Sequence, residues 1–449
     1  CTLYLKDMEY FDEDTNSTST DEAWYCELSE ACQEQYNASR MVLVEGVDFS
    51  HLNGGVSGFT QLEVVSGEVM LSDGHLTVPT STAVNTVPIA GRRRRLQKST
   101  GTPKTLVVRV TYQNKNEAGS LNQMKQSFFT DEKNLKERYQ ACSYNKLNIQ
   151  PFSGTTSTGK SISGGAVNVN MGTNPSQGKD KREDAAQAAA KSQLGNLADQ
   201  FDLVIYCQPK GSSGWTAYAY INGFESFYNH DACLSMSVQV HEVGHNLGLA
   251  HSGKDGNAYQ DQGGFMSVSY NKQFEPRQCF NVAKNFQVGW YDNKLRTINP
   301  TSVGKTTQVL NGISHYSNSG RPIGLRLEQK SRSKDYYVGY NRKFGINDGT
   351  VEDGDRVEIL SKNGGPDEYV VSYKEAALEP GQDYEIQNFD GTGQKVKITF
   401  EQISGTNNKD ATISIEVFAA DATPAPTPAS PSSPIVLAAR DANLHDAHI

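Results

Sequence analysis

The sequence predicts three folded parts: a small β-rich module at the N-terminus, an α/β domain in the middle and an antiparallel β-sandwich toward the C-terminus. Three observations carry this. Short strand-like runs with turn signals fill residues 1–91. Helix and strand patterns alternate between 104 and 210, as in α/β domains. From about 296 to 420 helical periodicity fades, and strand-like runs recur between Gly, Asn and Asp turns.

In the first part, Val42-Leu-Val-Glu-Gly, Phe59-Thr-Gln-Leu-Glu-Val-Val and His75-Leu-Thr-Val alternate apolar and polar positions. The module ends in Gly91-Arg-Arg-Arg-Arg-Leu. An arginine run is ordinarily a solvated loop. Here it sits in a Gly/Thr/Ser-rich linker ahead of the strand Thr105–Tyr112, so cleavage by a processing convertase after Arg95 is expected. Met124, Phe128, Phe129, Leu135 and Tyr139 then recur near a 3.6 period, which predicts helix. An Ala-rich helix is expected from about 182 to 200, leading into the buried strand Phe201–Cys207. Gly214-Trp-Thr-Ala-Tyr-Ala-Tyr-Ile reads as a strand at a sheet edge. The C-terminal strands are expected at Ile323–Leu327, Tyr336–Tyr340, Tyr369–Tyr373, Val396–Phe400 and Ala411–Val417. The Pro-rich run from Thr423 reads as an extended spacer. The expected boundaries are 1–95, 96–295, 296–420 and, for the spacer and tail, 421–449.

Composition narrows the function classes. Of 449 residues, 36% are hydrophobic and 21% charged, and no apolar stretch is long enough for a membrane-spanning helix. The net charge of −9 lies within residues 1–95, which hold 15 acidic and six basic residues; the remainder is formally neutral. No clustered basic face points to nucleic acid. Seven widely spaced cysteines without a CxxC pair fit disulfides in an oxidising compartment, with one thiol over. Sequons at Asn16 and Asn37 agree weakly with secretion. The chain begins at Cys1 rather than Met, so either a secretory signal has been removed or the true start is missing.

The chemistry concentrates in residues 241–251, HEVGHNLGLAH, where three of the nine histidines fall within eleven residues. His241 and His245, four apart on a helix, share one face and reach one metal ion. Glu242 sits beside that face, placed to contact a water rather than the metal. Gly248 can take the positive φ that ends a helix, which lets the chain return His251 as a third ligand. Three imidazoles leave the fourth position of a tetrahedral Zn2+ open, as a catalytic site requires.

HExxHxxGxxH is the metzincin signature, so the middle part resembles an α/β metzincin catalytic domain. Metzincins place a Met-containing turn beneath the metal ligands, and Met266 looks like that residue. Some also use a Tyr two positions after the Met; here that position is Val268, and Tyr270 is not taken as a ligand. Gly214-Trp-Thr-Ala-Tyr, the Tyr228–Cys233 segment, His251-Ser, Cys279-Phe-Asn-Val-Ala-Lys-Asn-Phe-Gln-Val-Gly-Trp, Cys142-Ser-Tyr-Asn-Lys-Leu and Tyr336-Tyr-Val-Gly-Tyr-Asn-Arg resemble gametolysins over roughly residues 104–420. That resemblance implies a secreted zinc metallopeptidase acting on cell-wall or extracellular-matrix glycoproteins; the charge partition and the Arg92–Arg95 run make residues 1–95 an expected acidic propeptide. Zinc would activate a water, with Glu242 as general base.

Latency would need something at the fourth zinc position. Cys1, Cys26 and Cys32 are the only thiols in residues 1–95, and no PRCGxPD motif surrounds them. An acidic side chain or simple steric cover is the alternative.

Overall fold

The computed structural model describes residues 1–12, 17–49, 56–89, 99–113, 118–172, 178–210, 214–267, 275–317, 320–405 and 409–419. Asn16, the Arg92–Arg95 run, Val268, Tyr270 and the Pro-rich spacer lie outside the described residues.

The run Leu-Val-Val-Arg-Val in Lys104–Thr111 is rich in β-branched residues and buried on both sides, as a central parallel strand must be. It lies between Ala166–Asn170 and Leu203–Gln208, and Glu225–Asn229 follows; all four strands run parallel. Trp215–Tyr220 is antiparallel to them and ends this α/β part. That edge is covered by chain. The N-terminal strand Thr2–Asp12 pairs antiparallel with Trp215–Tyr220, setting Asp7 opposite Ala219 and Glu9 opposite Ala217. Ser17–Glu27 and Met41–Glu45 follow, so the N-terminal module continues the sheet to 13 strands.

One sheet face packs on the helix Lys179–Leu194 through Ala186, Ala190 and Leu194 against Leu106, Val108, Val204 and Tyr206. This helix stops short of the expected residue 200 because Gly195 takes φ 88° and leaves the helix there. The other face packs on Met236–Asn246, every residue of which is buried, together with Trp290 and Tyr291. The helical stretch expected around 124–139 is broken in two. Leu121–Lys125 runs into a wider turn, Gln126–Thr130, and Leu135–Cys142 restarts under an Asn134 cap on the Glu137 N–H.

Disulfides join Cys142 to Cys279, Cys207 to Cys233 and Cys1 to Cys26, leaving Cys32 as a thiol. Toward the C-terminus a six-stranded and a four-stranded sheet share one core, in which Leu325, Val338 and Val357 meet Val396, Ile398 and Ile413. Most of its pairings are antiparallel. Two are parallel: Ser252–Lys254 with Ser372–Leu378, and Leu295–Ile298 with Gly324–Leu327. Ser252–Lys254 comes from well before residue 296 and Leu295–Ile298 straddles it, so the sheet is completed by chain leaving the α/β part. Among the described residues no helix is long and apolar enough to cross a membrane.

Candidate metal centre

His241 and His245 stand one turn apart on Met236–Asn246, with their Nε2 atoms 3.0 Å apart. Tethers fix this helix against the sheet edge. Asn246 Nδ2 donates to the carbonyls of Tyr220 and Glu225, and Tyr139 Oη donates to that of Val240. The helix ends at Leu247, and Gly248 takes φ 83°. This turn brings His251 back, its ring centroid 4.7 Å from that of His245 and 5.2 Å from that of His241.

Backbone carbonyls set the imidazole tautomers. His241 Nδ1 lies 2.7 Å from the Phe265 carbonyl and His245 Nδ1 lies 2.8 Å from the Leu249 carbonyl. A carbonyl only accepts, so each Nδ1 carries the proton and each Nε2 presents its lone pair, the arrangement a metal ligand needs. Burial, with the neighbouring imidazoles, pushes His245 and His251 well below the usual histidine range, which keeps them neutral. Phe265 immediately precedes Met266. The Met266 side chain packs beneath the helix against Gly244, where any Cβ would stand 2.5 Å from its sulfur.

The loop after His251 is braced by the C-terminal sheets. The Ser372 N–H donates to the His251 carbonyl at 3.2 Å. Asn281 Nδ2 donates to Ser252 Oγ and Asp261 Oδ2, and buried Lys374 pairs with Asp261 at 2.7 Å and with Asp353 at 2.7 Å.

Two further residues, not singled out from the sequence, enter this site from the N-terminal strand. Glu9 Oε1 lies 2.8 Å from His241 Nε2 and 3.4 Å from His251 Nε2. Asp7 Oδ2 lies 3.4 Å from His251 Nδ1 and accepts a hydrogen bond from Tyr369 Oη at 2.9 Å. Glu242 is wholly buried, and burial followed by the charges of Glu9 and Asp7 pushes its carboxyl well above the usual carboxylate range. A readable signal existed. Leu3, Leu5, Asp7 and Glu9 lie on one face of a strand, so two carboxylates continue an apolar stripe.

The donor set fits a divalent cation. One ligand atom from each of Glu9, His241, His245 and His251 can be chosen so that all lie within 4.8 Å of one another. A tetrahedron with bonds of ~2.0–2.1 Å has edges of about 3.3 Å, close to the contacts found. Three carboxyls are buried beside the three imidazoles, and both Glu242 oxygens, Glu9 Oε2 and His251 Nε2 have no hydrogen-bond partner. Such a cluster is costly without a compensating cation.

A histidine trio that could hold a metal ion, with an adjoining carboxyl and packed against a mixed sheet, is the kind of arrangement a metallopeptidase uses. Residues 111–311 match the family model of gametolysin peptidase M11, so the segment that carries the histidine trio is similar to the gametolysin metallopeptidases. No curated protein matches the chain.

Proposed function

We propose that the chain is a secreted zinc endopeptidase, made as a proenzyme, that hydrolyses peptide bonds in cell-wall or extracellular-matrix glycoproteins. The observation that carries this is the convergence of His241, His245 and His251 beside Glu242 within the segment that matches the peptidase family. His241, His245 and His251 hold the zinc. Bound there, zinc supplies a Lewis acid that polarises the scissile carbonyl and lowers the pKa of a water to about 7. Glu242 takes the proton from the attacking water and returns it to the leaving amine. Its burial supports this role, since a carboxylate held in an apolar site is a stronger base than a solvated one. Tautomer control by the Phe265 and Leu249 carbonyls keeps both helix imidazoles aimed at one point.

The strand Trp215–Tyr220 receives the substrate backbone by strand addition. In the uncleaved chain that edge is taken by Thr2–Asp12, which supports residues 1–95 as a propeptide released by a convertase cut after Arg95. Three disulfides support an oxidising, extracellular setting. The glycoprotein substrate class rests on the family likeness.

The test is hydrolysis of a protein substrate by the chain cut after Arg95. Activity that a chelator abolishes and zinc restores is expected. Chelator-insensitive hydrolysis, or none after zinc is supplied, would refute the reading.

A further inference from the structure

The N-terminal strand lies across the histidine site as a bound peptide would. It runs antiparallel to Trp215–Tyr220 in register from Lys6 to Glu9, and the register shifts just after Glu9. Alternation along the strand sorts its side chains. Lys6 and Met8 face the sheet side packed on Lys179–Leu194. Lys6 Nζ, only 1% exposed, pairs there with Glu183 at 2.8 Å and lies 4.3 Å from the centre of the Tyr218 ring. Asp7 and Glu9 face the opposite side, over the histidines, and both are fully buried. Ala217 and Ala219, their cross-strand neighbours, are small enough to leave them room.

The N-terminal module is anchored beyond this strand as well. Arg40 pairs with Glu225 at 2.7 Å, and Ser39 donates to Asp184 at 2.6 Å. Lys6 and Arg40 are the only basic residues of 1–95 outside the Arg92–Arg95 run. Lys6 is spent on carboxylates of the peptidase segment, and Arg40 is shared between Glu225 and Glu27 of its own module. Neither neutralises Asp7 or Glu9.

We infer that Glu9 is the fourth metal ligand of the uncleaved chain, and that it holds the enzyme latent by occupying the position an attacking water needs. The inference rests on the zinc reading of His241, His245 and His251. A carboxylate oxygen is an ordinary partner for zinc, and Glu9 reaches two of the three imidazoles at ligand-to-ligand distances. Asp7, nearer His251 Nδ1 and bonded to Tyr369, positions the strand. A thiol does not fill the role. Cys1 and Cys26 are joined, and Cys32 lies on the helix Glu30–Tyr36, beside the separate core formed by Leu3, Val42 and Leu76.

The test uses the full, uncleaved chain with cobalt(II) in place of zinc. Glu9→Gln keeps the size of the side chain and removes the charge; Asp7→Asn serves as the neighbouring control. Glu9→Gln is expected to change the visible cobalt spectrum and to tighten binding of acetohydroxamate, a small metal-binding probe, at least ~10-fold. That is the effect of removing a tethered competitor. Asp7→Asn should leave the spectrum close to that of the unmodified chain. If Glu9→Gln does not fold, Glu9→Asp shortens the arm and should move the spectrum in the same sense. A metal-loaded Glu9→Gln chain with unchanged spectrum and unchanged probe affinity overturns the inference and leaves the zinc reading intact. Failure of the unmodified chain to take up one cobalt or zinc ion would instead overturn the zinc reading itself.

Discussion

A Cβ on Gly244 would stand 2.5 Å from the sulfur of Met266. The helix that carries His241 and His245 is therefore seated closely on the methionine, and a side chain at Gly244 would force the sulfur end of Met266 to move. The same turn supplies the Phe265 carbonyl that orients His241, so disturbing one disturbs the other.

Gly244→Ala is therefore expected to destabilise the fold by about 1–3 kcal/mol, the usual cost of overpacking a filled core. It should also weaken metal retention. Thermal unfolding followed by metal analysis checks both. A melting temperature and metal content equal to those of the unmodified chain would show that the contact relaxes at no cost.

Lys374 offers a test of the brace behind His251. It is 2% exposed and pairs with Asp261, Asp353 and Glu352. Lys374→Met would leave buried carboxylates without their cation, a change that costs roughly 3–5 kcal/mol. Because Asp261 lies in the loop joining His251 to Met266, faster loss of metal to a chelator is expected alongside the lower stability. Normal metal retention in a destabilised variant would confine the brace to folding.

Asp184 makes the docking face sensitive to pH. Burial, its main cause, pushes this carboxyl up to about 6, and the Ser39 hydroxyl only partly offsets it. Charges facing it include Glu183 and Asp180, which raise it further, and Lys6, which lowers it. In the unfolded chain an Asp titrates near 3.9. Between about 4 and 6 the folded state thus binds more protons than the unfolded state, and Asp184's contribution to stability falls as pH rises through that window. Asp184→Asn should stabilise the uncleaved chain more at pH 7 than at pH 4, as read from urea midpoints. An equal effect at both pH values would contradict the shift.

Cys32 is expected to be a bystander. Replacing it by Ser in the uncleaved chain should give no gain of peptidase activity, and a mercurial reagent should not activate the unmodified chain. Activation by either route would restore the thiol alternative.

Much of the site was legible because it is local. His241, Glu242, His245, Gly248 and His251 fall within one helix and its turn, where the spacing alone dictates a shared face. Met266 was singled out from family likeness, and its side chain packs against Gly244, between the two helix histidines. Glu9 and Asp7 were legible only as carboxylates continuing an apolar strand face, since they join the histidines through a strand pairing across more than two hundred residues. Periodicity shows that they share a face but not what that face meets. Helix ends were missed where one residue decides, as at Gly195 and Asn134. The strand runs of the C-terminal region were readable from alternation, except that the strand expected at Tyr369–Tyr373 begins only at Ser372 and runs on to Leu378. The parallel pairing of Ser252–Lys254 was not readable, because a strand of three residues carries too little pattern.

Glu242→Gln, prepared in the chain cut after Arg95 and loaded with zinc, tests the account most directly. The amide keeps the shape of the side chain and cannot take a proton from water. The expected result is one zinc per chain with turnover of a protein substrate reduced at least ~10²-fold, the scale of a lost general base. Near-normal turnover at full zinc occupancy would contradict the assignment of Glu242 and, with it, the hydrolytic centre proposed for this chain.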